Sequence, residues 1–87
     1  MAYYVRLSEK EQASLAWCAA RYESARILHD GMANDGDAPE DVFRVPEHVV
    51  WASIEAITQD GGDAYEDGGF IPCLDSPAIR AMFDRVV

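Results

Sequence analysis

Eighty-seven residues with 49% hydrophobic side chains make one small globular chain, too apolar to stay disordered. A chain of this length buries about two-thirds of its unfolded surface, so its core is modest. The net charge of −9 excludes an open basic face for nucleic acid or anionic lipid.

The charge is also segregated. Residues 1–26 hold four bases against three acids, and residues 80–87 hold two bases against one. Residues 27–79 hold twelve acids and one base, Arg44. The whole excess therefore lies in the middle of the chain.

The first predicted element is a short strand. Tyr3, Val5 and Leu7 alternate with Tyr4 and Arg6. Ser8 then starts a helix, with Glu11 three residues on to complete a capping box. That helix is expected to run from Glu9 to about His29 as the main core element. Leu15, Cys18, Tyr22, Ala25 and Leu28 recur at steps of three and four, flanked by Trp17 and Ile27. Gly31 is expected as its stop.

Residues 30–41 form an acidic loop by composition, with five acids and no base. Val42 to Val45 suits a short strand. Pro46 suits the first position of a second helix, with Val50, Ile54 and Ile57 facing inward and Val49 and Trp51 alongside. Gly61 and Gly62 end it. Residues 60–69 form a second acidic, glycine-rich loop. Phe70 to Leu74 is interrupted by Pro72 and is at best an edge strand. Asp75 or Ser76 caps a last helix, with Pro77 in its first turn and Ile79, Met82, Phe83 and Val86 on its apolar face. The expected fold is mainly α: three helices with one to three short extended segments, a small α or α+β single domain covering residues 1–87.

No constellation for catalysis or metal binding stands out, and neither an enzyme nor a cofactor is expected. Asp35, Asp37 and Asp41 have the first spacings of a calcium loop, but Glu40 stands where the sharp-turn glycine belongs and Pro46 where the bidentate acid belongs. Two isolated cysteines and two isolated histidines do not make a zinc site. Cys18 falls in the core stripe, where a thiolate is disfavoured, and a buried free thiol is expected there. His29 suits the negative end of a helix, and His48 suits solvent. Asp60-Gly-Gly lacks the following Gly-Lys-Ser/Thr of a phosphate loop. The start, Met1 to Lys10, has no basic region followed by an apolar run, and no stretch approaches a membrane span. The expected setting is the cytoplasm, with both cysteines, Cys18 and Cys73, reduced.

Two readings of the acidic middle stand side by side. Charged loops keep a small protein soluble. They also suit docking on a basic protein groove, with Asp35, Asp37, Glu40 and Asp41 in one loop and Asp60, Asp63, Tyr65, Glu66 and Asp67 in the other. Trp51, Tyr65 and Phe70 would serve as aromatic anchors amid the charge. An acidic module working through an apolar dimer or partner interface is the alternative.

In size, charge and the run of acids from Asp30 to Asp75 broken only by Arg44, the chain resembles the small acidic proteins that phages encode against host nucleic-acid-binding machinery. Anti-CRISPR proteins and other DNA mimics are of this type. The resemblance implies a non-enzymatic inhibitor. Its partner would be a basic nucleic-acid-binding protein or complex, such as a CRISPR effector, with no direct contact to nucleic acid or membrane.

Overall fold

Local chemistry places the first helix. A computed structural model describes residues 1–60 and 74–86. In it, Ser8 Oγ accepts from the Glu11 amide at 3.2 Å, and Glu11 Oε1 accepts from the Ser8 amide at 3.0 Å. This reciprocal pair starts α1, Glu9–Ala19. Before it lies β1, Ala2–Arg6; after it come α2, Glu23–Gly31, and β2, Ala33–Asn34. The described chain continues with β3, Val42–Pro46, α3, Glu47–Asp60, and α4, Pro77–Asp84. These elements make a small α+β domain with four helices and a three-stranded antiparallel sheet.

The single long first helix is thus corrected to two. The Arg21 and Tyr22 amides both donate to the Cys18 carbonyl, at 2.9 and 2.7 Å, closing the last turn of α1. Tyr22 is extended, with φ −122° and ψ 131°, and caps α2. No glycine or proline marks this corner. The buried stripe still runs through it, because Leu15 and Cys18 on α1 and Ala25 and Leu28 on α2 face the same core. Periodicity therefore could not distinguish one straight helix from two packed ones.

Gly31 differs from expectation as well. It is the last helical residue of α2 and not the stop beyond it. A Cβ there would stand 2.5 and 2.6 Å from the Val49 methyl carbons on α3. The glycine lets α2 and α3 approach closely.

Cys18 is fully buried and disulfide-bonded, which corrects the expected free thiol. A helical stripe cannot tell a packed thiol from a half-cystine, since both are apolar and buried. The other cysteine of the sequence, Cys73, lies outside the described residues.

The sheet order is β1-β3-β2, with Tyr3 opposite Val45, Val5 opposite Phe43, and Ala33 opposite Arg44. Pro46 ends β3 opposite Ala2, and the helix starts one residue later than the proline pattern suggested. Its missing N–H costs nothing there. The Leu7–Asp41 and Met1–Glu47 hydrogen bonds put odd residues of β1 in the bonded pairs, and Pro46 lies beyond the end of β2.

The inner sheet face carries Tyr3, Val5 and Val45, all buried. α2 and α3 pack on β3 and α4 packs on β1. Leu15, Leu28, Ile57, Leu74, Ile79, Met82 and Phe83 complete the core, while Tyr22 and Ile54 are half-buried. α4 begins as its sequence suggests, with Ser76 Oγ accepting from the Ile79 amide at 3.2 Å and Pro77 in the first turn. No helix among the described residues is long and apolar enough to cross a membrane.

Candidate functional site: the acidic hairpin tip and its surroundings

The loop joining β2 to β3 carries Asp35, Asp37, Glu40 and Asp41. It is shaped by its own polar groups. The Ala38 amide donates to the Asp35 carbonyl at 2.9 Å, and the Val42 amide to the Pro39 carbonyl at 3.0 Å. Asn34 spans the loop: its Nδ2 donates to the carbonyls of Pro39 at 2.8 Å and Val42 at 2.9 Å. This is side-chain turn chemistry, in which an amide supplies bonds that a longer strand would supply. The loop is a clamped tip and not a slack segment.

Asp35, Asp37 and Glu40 are exposed, and none forms an ion pair among the described residues. Asp41 is different. It is half-buried, and its Oδ2 lies 3.3 Å from Arg6 Nε. The tip therefore presents three uncompensated carboxylates, with a fourth neutralised at its base. Asp60 closes α3, and Asp63, Tyr65, Glu66 and Asp67 lie outside the described residues. Of the three anchors expected from sequence, Trp51 is on the outer face of α3 and 47% exposed; Tyr65 and Phe70 lie outside the described residues.

Two surface features were not foreseen. On the outer sheet face, Tyr4 is 57% exposed and stands opposite Arg44, with Arg6 two residues along the same strand. The one base of the acidic middle thus joins the face that holds Arg6. Alternation places Tyr4 and Arg6 together, but the strand register that brings Arg44 to them is not legible in the sequence. On α1, Trp17 is 55% exposed, although it neighbours the core stripe. The Arg21 guanidinium lies over its ring at 3.6 Å and also donates to its carbonyl at 2.8 Å. A stacked arginine of this kind covers part of an exposed indole.

Inside the molecule, Leu7, Gln12, Leu15, His29, Met32 and Phe43 line an open pocket of about 220 Å³. It lies where the start of α1, the end of α2 and the first half of β3 meet. Among the described residues no group of three or more His, Cys, Asp or Glu side chains could hold a metal ion. No family model matches the chain, and neither a curated protein nor a solved structure matches it.

Proposed function

We propose that the protein is a non-enzymatic inhibitory or regulatory binding protein that docks its acidic hairpin tip on a basic, nucleic-acid-binding surface of a partner protein. The observation that carries this reading is the tip itself: Asp35, Asp37 and Glu40 exposed, without ion-pair partners among the described residues, on a loop held by Asn34. A clamped loop backbone loses little freedom on binding, so more of the attraction of its carboxylates reaches the complex. Each takes the place of a phosphate on a lysine or arginine, and nucleic acid is excluded by competition. The field of the whole chain acts in the same direction and speeds encounter with a basic partner. This is the behaviour of the anti-CRISPR and DNA-mimic type, and it places the action in the cytoplasm, where a CRISPR effector is one such partner.

The test uses the heparin-binding fraction of a bacterial lysate passed over the immobilised protein. Basic proteins should be retained at low salt, released at high salt, and displaced by added single-stranded DNA. The Asp35→Asn, Asp37→Asn, Glu40→Gln variant should retain markedly less. Equal retention by that variant would reject the tip as the docking surface.

A second reading has its own support. Trp17, Trp51 and Tyr4 are large and exposed, which suits a module that works through an apolar dimer or partner interface. Retention that resists salt and is lost on Trp51→Ala or Trp17→Ala would favour it.

A further inference from the structure

We propose that the pocket bounded by Leu7, Gln12, Leu15, His29, Met32 and Phe43 is a binding site for a neutral aromatic ring bearing one hydrogen-bond donor, a phenol. Its walls explain the ring. Leu7 and Leu15 are buried core residues, and Met32 and Phe43 pack against the same core. An apolar cavity of about 150 Å³ already accommodates benzene, and this one measures about 220 Å³. It therefore has room for a ring with substituents and not for a nucleotide or a larger cofactor.

Its polar edge explains the donor. Gln12 Nε2 is committed to the Leu7 carbonyl at 2.9 Å, which leaves its amide oxygen as an acceptor at the wall. His29 adds a second polar group at the wall, with its Nδ1 3.5 Å from Asp30 Oδ1. The Gln12 amide oxygen and the His29 imidazole above an apolar floor select a ring that brings an O–H. A carboxylate is disfavoured by the Asp30 carboxylate, which stands 3.5 Å from His29 Nδ1. The site is independent of the hairpin tip, whose carboxylates do not line it.

The ring could come from a free phenol or from a tyrosine side chain of a partner, and the experiment separates these. The protein labelled with ¹⁵N is titrated with para-cresol, toluene and N-acetyltyrosinamide, and amide shifts are followed. Shifts should gather at Leu7, Gln12, Leu15 and Phe43, with Kd in about the millimolar range for ligands this small. Para-cresol should bind about 2- to 10-fold more tightly than toluene, the worth of one net hydrogen bond. Gln12→Leu and His29→Ala should each reduce that preference and leave toluene binding intact, which a merely structural role would not do. Met32→Phe should fill the pocket and abolish both; if it does not fold, the Gln12 and His29 variants decide the matter. Binding of N-acetyltyrosinamide would show that a partner side chain can enter, and its exclusion with para-cresol still bound would assign the site to a free phenol. Absence of pocket shifts in the folded wild type, shifts no larger there than at Tyr4 and Trp51, or no preference for para-cresol over toluene, would each overturn the proposal.

Discussion

The corner between α1 and α2 and the tip between β2 and β3 both reverse the chain, and they do so by opposite means. The tip holds itself. Asn34, Pro39 and two short turns fix it within nine residues, from Asn34 to Val42. The corner has bonds to the Cys18 and Trp17 carbonyls from Arg21 and Tyr22, but no glycine, proline or polar side chain that spans it as Asn34 spans the tip. Ala19, Ala20, Arg21 and Tyr22 would continue a helix as readily as end one. Tertiary packing adds to those bonds: the disulfide at Cys18, the close seat of Gly31 on α3, and the burial of Leu15 and Leu28 in one core. A turn specified locally survives damage elsewhere, while one specified by tertiary packing fails with that packing.

Breaking the corner should give the largest effects. Reducing the Cys18 disulfide should lower stability by about 2–4 kcal/mol, the usual worth of such a bond. Denaturant titration with and without a phosphine reductant measures this. A midpoint that does not move would mean that the bond does not restrain the unfolded chain. Next comes Gly31→Ala. Its added methyl would meet Val49 at 2.5 Å, well inside contact distance. We expect a loss of roughly 1–3 kcal/mol from overpacking. In the Gly31→Ala, Val49→Ala double variant, the combined loss should be smaller than the sum of the two single losses, because the clash is gone. Additive losses would show that the glycine serves some end other than close approach.

These two sites also show what the sequence could reveal. The capping box at Ser8 and Glu11, the cap at Ser76, the strand from Tyr3 and the acidic loop were all legible, because each depends on residues within a few positions of one another. The break at Tyr22, the seat of Gly31 and the meeting of Arg44 with Tyr4 depend on residues far apart in the chain. Pattern alone gives no register for such meetings. Of the candidate site, the carboxylates of the first loop could be named from composition. Their division into three uncompensated groups and one paired with Arg6 could not. The clamp by Asn34 was missed too, although an asparagine ahead of a Gly- and Pro-containing loop is a signal for it.

The tip offers a smaller perturbation that sharpens the contrast. Asn34→Ala removes two hydrogen bonds on an exposed loop, so its cost should be about 1 kcal/mol. The change should stay local. Amide exchange should quicken from Ala38 to Val42, while the helices keep their protection. Loss of protection in α2 or α3 would mean that the tip is coupled to the core and is not self-contained.

The smallest expected effect concerns the start of α1, which is locally specified like the tip although its end is not. The Ser8 amide donates to Glu11 and holds its carboxyl below the ordinary glutamate range. Slight burial opposes that shift, and the Ser8 and Ser76 hydroxyls reinforce it. The sign follows from linkage. Because the folded carboxyl is the stronger acid, its contribution is present above the pKa of the unfolded chain, and it fades as pH falls through the lowered folded value. The helix N-terminus favours the same charged form. Glu11→Gln should therefore be less stable than wild type near neutrality, and the difference should narrow as the solution is acidified below pH 4.5, the ordinary value for a glutamate. Paired denaturant titrations across that range make the comparison. A gap that stays constant with pH would show that the box works through its hydrogen bonds alone, with no contribution from the charge.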